Sequence, residues 1–532
     1  MESFGAHRGL VVARDGAVAA SQPLAVSAGI SVLAQGGTFA DAAIAVSAVL
    51  CVIEPYNSHL GGDAFLVVYD ADRRETVAFN GSGAAPRSAT PESYASGIPV
   101  HGVRAASVPG LVSTWAAFHN CYGKLPLRDL LQPAIGYARD GYPAGPRLVR
   151  ACQNNAALFA QHPSLAALNL SPNLTLGQIV RQPDLSGTLE QIAAHGADAF
   201  YRGPIAEKIA AASSGHFTAE DLATHHTRII PPLRLDYRSI TVHGQPPPSQ
   251  GYILLSELGM VRGFDLANLS AVKRNHRMIE AKKLAFADRN CYLADPEKEA
   301  VPIETLLSEG FLADRRRQIR PETASPDYPA GDLHQEGSDT TYFLVADRNG
   351  NAVSFIQSIF HSFGSATVLD GTGILLNNRM TGFSLDSASP NCLAPGKRPV
   401  HTLNAWLATH PDGSLAYVGG TPGGHVQVQT NLQLIVNLVD GGMNPQEAIE
   451  APRWQHLPAN SATSAEPSGP GTLEFEERIG ESVLNGLREH GHDVQPIGAW
   501  AHGSAAQILS VLPNGAYTVG SDPRCDGHAA AL

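Results

Sequence analysis

No apolar run in this 532-residue chain is long enough to cross a bilayer; the longest, residues 42–53, is interrupted by Ser47. Residues 1–16 lack the charged-then-apolar pattern of a secretory signal, so a cytoplasmic location and no membrane partner are expected. Positive charge is scarce as well. Against 49 Asp and Glu there are 37 Lys and Arg, a formal net charge of −12, which argues against a nucleic-acid partner. The densest basic cluster, Arg315-Arg316-Arg317, lies between Asp314 and Glu322 and is expected to be a solvated helix face. Six cysteines, at positions 51, 121, 152, 291, 392 and 525, never form a CxxC pair, so buried free thiols are expected rather than a disulfide framework.

Familiar catalytic signatures are missing too. There is no phosphate-binding P-loop, no HExxH zinc helix and no G-x-S-x-G nucleophile elbow. Gly81-Ser82-Gly83 lacks the third glycine of a dinucleotide fingerprint, and His225-His226 are adjacent rather than spaced for one metal ion. No cofactor and no metal are expected.

What is present is a hydrophobic fraction of 43%, enough for a large core, with 52 Gly and 37 Pro marking many turns. Residues 17–55 read as two helices, the first stopped by Gly36-Gly37 and the second capped by Asp41, apolar on most faces and therefore buried. Residues 65–69 read as a strand forming a hairpin with residues 77–80. Residues 111–142 read as two helices, 150–215 as mostly helical, and 276–292 as an amphipathic helix. Pro246-Pro247-Pro248-Ser249-Gln250-Gly251 reads as a rigid turn before a further helix. From Thr340 onward strands dominate, with helices at 426–440 and 445–451. Strands gathered centrally with helices outside suggest two sheets between helical layers.

One stretch carries chemistry. Residues 321–339 are rich in Pro, Gly, Ser and Asp, the composition of an exposed loop, and the chain becomes a strand at Thr340. Asp347-Arg348-Asn349-Gly350 is a hairpin signal, with residues 351–358 returning; that register sets Thr340 opposite residues 357–359, beside Ser358. Thr340 has two readings. It is a good strand-starting residue. Alternatively its hydroxyl attacks the carbonyl of Asp339, and hydrolysis of the ester frees a new α-amine with a pKa of roughly 7.7–8.0. An N-terminal threonine whose own amine serves as base is an activated nucleophile. Further on, Thr421-Pro422-Gly423-Gly424-His425 links a strand to a helix N-terminus, where paired glycines expose N–H groups suited to an oxyanion.

Taken together these segments resemble the γ-glutamyltranspeptidase family of N-terminal-nucleophile hydrolases. The resemblance is carried by Leu60-Gly61-Gly62, Val108-Pro109-Gly110, the Pro246–Ser249 run, Thr340-Thr341, Phe363-Gly364, Pro422-Gly423-Gly424, Ala451-Pro452-Arg453 and Ser521-Asp522-Pro523-Arg524. It implies an α/β fold of αββα four-layer type, made as a precursor and cut between Asp339 and Thr340. Residues 1–339 and 340–532 would be large and small subunits of one intertwined domain, with room for homo-oligomers of that heterodimer. By the same resemblance Thr340 is the nucleophile, Ser358 its companion hydroxyl, and Gly423 and Gly424 the oxyanion donors.

The departures bear on the substrate. The family's carboxylate-binding Arg is missing from Phe79 to Pro86, and its substrate-binding Asn is replaced by Phe360. Its Gln and Asp around the Asn377-Asn378 pair become Arg379 and Gly382, and its Ser-Ser pair becomes His401-Thr402. The resemblance therefore implies hydrolysis of a small carboxylate-bearing amide such as oxamate, bound by Arg379, Phe360, His401, Thr402 and Asn378. Cephalosporin (glutaryl) acylase activity, γ-glutamyl hydrolysis or transfer, and a non-catalytic binding scaffold are the alternatives.

Overall fold

The alternation along one strand sets the layers. In Asp339–Asp347, Tyr342, Leu344 and Ala346 face one side and Phe343 and Val345 the other, as successive strand residues must. All five are fully buried, so this strand is covered on both faces. The computed structural model describes residues 7–325, 328, 339–457 and 471–532.

Two seven-stranded antiparallel sheets pack face to face. The first runs His528–Ala531, Gly16–Ala20, Asp339–Asp347, Ala352–Phe360, Asp63–Asp70, Glu75–Asn80 and Arg228–Ile230. The second runs Val11–Ala13, Tyr517–Ser521, Gln507–Val511, Leu415–Gly420, Trp406–Thr409, Ile240–Gly244 and Leu233–Tyr237. Tyr342, Leu344, Phe65 and Val67 meet Leu407, Val418 and Leu509 between them. Phe343, Val345 and Phe355 pack outward on the helices of the first 225 residues, and Trp406 and Ala408 on the helices after residue 250. This is the expected αββα sandwich.

The buried helix is Phe39–Ile53, and all fifteen of its residues are buried. Each large aliphatic side chain in it contributes about 1.5–3 kcal/mol by leaving water. Its cap is Thr38 rather than Asp41. Thr38 Oγ1 accepts the Asp41 N–H at 3.2 Å while Asp41 Oδ2 accepts the Thr38 N–H at 3.0 Å, a reciprocal capping box. Ser47, the polar break in the apolar run, hydrogen-bonds the Gln357 side chain and takes the Trp115 indole N–H at 2.7 Å. It thereby ties the helix to the strand that carries Ser358.

Other expectations need correction. Residues 17–20 are not helical but part of the strand Gly16–Ala20, because their small side chains pair with Asp339–Asp347. Arg315–Arg317 is not a uniformly solvated face. Arg315 is ion-paired with Asp288, and Arg316 donates to the carbonyls of Met260 and Gly259; only Arg317 stands in solvent. All six cysteines are free, but only Cys51 and Cys152 are buried. Burial pushes both of those thiols up to about 12. The loop before the nucleophile falls largely on residues 326, 327 and 329–338, outside the described residues. Among the described residues no helix is long and apolar enough to cross a membrane.

Candidate active site

The hairpin of Asp339–Asp347 and Ala352–Phe360 is antiparallel, with Asp339 opposite Phe360 and Thr341 opposite Gln357. Two residues of the returning strand, Ser358 and Ile359, therefore stand against the single Thr340, which is a bulge. Thr340 is buried, and its Oγ1 donates to Ser358 Oγ at 3.2 Å. Ser358 Oγ also accepts the Phe360 N–H at 2.8 Å. Across the next strand Ser358 pairs in register with Asp63. Gly61 and Gly62 allow this approach, since a Cβ on Gly62 would run into the Ser358 carbonyl.

Phe360 ends the strand at φ +84°, an unfavourable backbone for a residue with a Cβ. The turn brings its ring under Arg379, whose guanidinium carbon lies 4.2 Å from the ring centroid. Arg379 is held by its two predecessors. Its N–H donates to Asn377 Oδ1 at 2.9 Å, and Asn377 Nδ2 is anchored on Gly61 O at 2.8 Å. Asn378 Oδ1 accepts the His361 N–H and Asn378 Nδ2 donates to Val100 O. Asn378 thus braces the loop through both ends of its amide.

The Arg379 guanidinium is fully buried, and none of its three nitrogens has a hydrogen-bond partner. The nearest opposite charge is Asp63, whose Oδ2 is 3.6 Å from Nε. His401 Nε2 lies 3.6 Å from that same oxygen, and both His401 ring nitrogens are unbonded. The neighbouring Thr402 Oγ1 is likewise buried without a partner. Burial pushes the Asp63 carboxyl up to about 7, although Arg379 and the Gly83 N–H pull the other way. Burial also lowers Arg379 to about 10, with Asp63 opposing it. His401 is held well below the usual imidazole range by burial and by Arg379, and so is neutral.

Gly423 and Gly424 sit between the strand Leu415–Gly420 and the helix Val426–Val439, at φ +126° and +53°. Only glycine adopts such a pair of conformations without strain. Their carbonyls start the helix, accepting Val426 N–H at 2.9 Å and Gln427 N–H at 3.3 Å. Gln250 joins this loop to the Arg379 side. Its Nε2 donates to Thr402 O at 2.8 Å and to Gly424 O at 3.0 Å, while its backbone N–H binds His401 O at 2.9 Å. A continuous circuit results, from Thr340 through Ser358, Phe360, Arg379, Asp63, His401, Thr402 and Gln250 to Gly424. The circuit holds a buried hydroxyl at one end and an unbonded cation within it, the two groups that attack on an anionic acyl compound would require.

Sequence reading missed two members of this circuit, Asp63 and Gln250. Each directly follows or lies within a motif already singled out, Leu60-Gly61-Gly62 and Pro246–Gly251, which is the signal that was available. His225 stacks on Tyr201 with centroids 5.5 Å apart, and burial lowers its ring to about 3. Among the described residues His276, Glu280 and His492 have ligand atoms close enough for a metal ion. Their bonds are already satisfied. His276 contacts His492 at 2.8 Å and Arg320 O at 2.8 Å, and Glu280 holds the Lys283 ammonium at 2.8 Å.

The Gamma-glutamyltranspeptidase family profile matches residues 25–532. The glutathione hydrolase-like YwrD proenzyme of Bacillus subtilis is 36% identical over 521 residues, 96% of this chain and 97% of that protein. The oxamate amidohydrolase proenzyme of Klebsiella pneumoniae is 36% identical over 534 residues, 98% of this chain and 99% of that one. The crystal structure of cephalosporin acylase from Bacillus halodurans superposes with a TM-score of 0.90 at 35% identity, covering 100% of this chain and 98% of its own.

Proposed function

This chain belongs to the γ-glutamyltranspeptidase family of self-processing amide hydrolases, and within that family we propose that it hydrolyses a small carboxylate-bearing amide such as oxamate. Thr340 is the nucleophile of this reading. Its Oγ1 adds to the Asp339 carbonyl, the peptide becomes an ester, and water releases 1–339 from 340–532. The freed α-amine then takes the Oγ1 proton as that oxygen adds to the substrate carbonyl. Gly423 and Gly424 N–H groups hold the oxyanion, and the amine passes its proton to the departing ammonia. Water hydrolyses the acyl ester, and oxamate gives ammonia and oxalate.

The observation that carries the substrate class is Arg379. A guanidinium buried with no hydrogen-bond partner, and linked through Phe360 and Ser358 to the Thr340 hydroxyl, is prepared to fork onto a carboxylate. In this reading the bulk of Phe360 and Arg379 favours a short acyl group, and His401 adds a hydrogen bond. Asn378 acts in this reading by bracing Arg379. A second reading, γ-glutamyl hydrolysis, has Asp63 in its favour, because an acceptor beside Arg379 suits an α-amino acid head.

N-terminal sequencing and steady-state kinetics test the proposal together. The small chain should begin at Thr340, and Thr340→Ala should stay whole. Oxamate should be turned over with higher kcat/KM than γ-glutamyl anilides. A different N-terminus removes the nucleophile; a preference for γ-glutamyl anilides selects the second reading.

A further inference from the structure

Arg379 and His401 converge on a single oxygen. Asp63 Oδ2 lies 3.6 Å from each of them and accepts no hydrogen bond. The other oxygen, Oδ1, accepts the Gly83 N–H at 2.9 Å. The backbone of Asp63 is fixed too, since it opens the strand Asp63–Asp70 and pairs with Ser358. With one oxygen anchored and the backbone in a sheet, this carboxyl group has nowhere to withdraw when a second carboxylate enters.

We propose that Asp63 is a specificity-determining residue of the acyl pocket, competing with the substrate's carboxylate for Arg379. The inference rests on the reading of Arg379 as the carboxylate ligand. Two carboxylates sharing one guanidinium in a dry site repel strongly, so an anionic acyl group enters only with Asp63 protonated. Burial favours that neutral form, holding the carboxyl at about 7, and the protonated group becomes a donor beside the incoming anion. Asp63 thus makes the pocket selective for carboxylates on the acid side of neutrality and progressively closes it to them above.

The other titratable groups facing Asp63 keep their charge over this range. Arg379 is lowered only to about 10, His401 is neutral throughout, and burial holds the Tyr201 phenol protonated. The exception is the α-amine that cleavage creates on Thr340, at roughly 7.7–8.0. Its loss of charge also weakens anion binding, but a substitution at Asp63 leaves that contribution in place.

The test is calorimetric titration of oxalate into the mature two-chain protein, wild type and Asp63→Asn, between about pH 6 and about pH 8.5. Oxalate binding to wild type should weaken about 30-fold from the acid to the alkaline end of that span through Asp63 alone. In Asp63→Asn only the few-fold effect of the amine should remain. A flat wild-type profile, an equally steep profile in Asp63→Asn, or no oxalate binding to either overturns the inference. Should Asp63→Asn fail to mature, Asp63→Ser and the wild-type profile carry the test. Oxamate turnover separates the two claims. Oxalate binding as expected without oxamate hydrolysis leaves Asp63 its role and removes the substrate. Oxamate hydrolysis whose KM keeps the same pH slope in Asp63→Asn does the reverse.

Discussion

Arg379 and Arg524 have equally shielded side chains in opposite circumstances. Arg524 spends every nitrogen. Nε and Nη2 fork onto Glu476 at 2.6 Å each, Nη1 reaches Asp522 and the Ile449 carbonyl, and Nη2 also reaches Ala451 O. Arg453 joins the same cluster, 2.7 Å from Asp522. Burial raises Asp522, but the two arginines outweigh it and hold the carboxyl below its ordinary range. Arg379 has one carboxylate at 3.6 Å, no hydrogen bond, and a partner whose charge burial suppresses. The first arrangement is that of a structure-holding arginine; the second leaves every donor unbonded, which is the ground for proposing that Arg379 holds a ligand. Burial and residue type do not separate them; the state of their donors does.

The sharpest way to break this comparison is to remove each arginine in turn. Arg524→Met strips Glu476 of its bidentate partner, leaving it to Arg478 and leaving Asp522 to Arg453, at a cost of about 3–5 kcal/mol. It should show in denaturant unfolding as a large loss of stability or as failure to mature. Little loss would make Arg524 no more structural than Arg379.

Acid titration sharpens the contrast from the carboxylate side. Asp522 contributes stability above its unfolded pKa, and that contribution is lost as pH falls through its lowered folded value. Asp63 does the opposite. Its unfolded carboxyl releases a proton near 3.9 and its folded one near 7, so stability declines as pH rises between those values and is level above. The spread is on the order of 4 kcal/mol. Urea unfolding of uncut Thr340→Ala between these pH values should show the decline, and Asp63→Asn in that background should flatten it.

Arg379→Met is the functional counterpart. It should still cut itself, melt within a few degrees of wild type, and lose about 2–4 kcal/mol of transition-state binding, roughly 30- to 1000-fold in kcat/KM on oxamate. Steady-state kinetics on the matured variant decides it, and wild-type efficiency would return Arg379 to the structural class. The smallest expected effect is none at all. In the proposed reading the family's groups for the glutamyl head are replaced, so water is the expected acceptor and added glycylglycine should leave product release unchanged. A several-fold acceleration would mean that an acceptor amino acid has its own seat.

What could be read in advance was what local pattern controls. The hairpin signal at Asp347–Gly350 sets Ser358 against Thr340, and the apolar run 42–53 marks the buried helix. The strands Leu233–Tyr237 and Ile240–Gly244 went unseen, because their pairing with Trp406–Thr409 joins segments far apart in the chain. The roles of Asp63 and Gln250 were hidden for the same reason. Nothing near Asp63 in sequence is charged to match it, and Gln250 looks like a turn residue until its amide is seen spanning Thr402 and Gly424. The clustered Arg315–Arg317 misled in the other direction. Like charges in sequence suggest solvent, yet two of the three have partners on other elements.

The first sheet interleaves strands from both sides of residue 340: Gly16–Ala20 and Asp63–Asp70 flank the pair Asp339–Asp347 and Ala352–Phe360. The second sheet does likewise, with Ile240–Gly244 beside Trp406–Thr409. If the bond before Thr340 is broken as proposed, neither fragment retains a complete sheet. Dilution alone would not part them, since separation requires stripping ladders from both sheets at once, which amounts to unfolding. Such a pair does not trade partners in a mixture of molecules. If the fragments were forced apart, their reunion would be second order in concentration, so the cut proposed to arm the hydroxyl would also turn a single refolding chain into a pair that is assembled once.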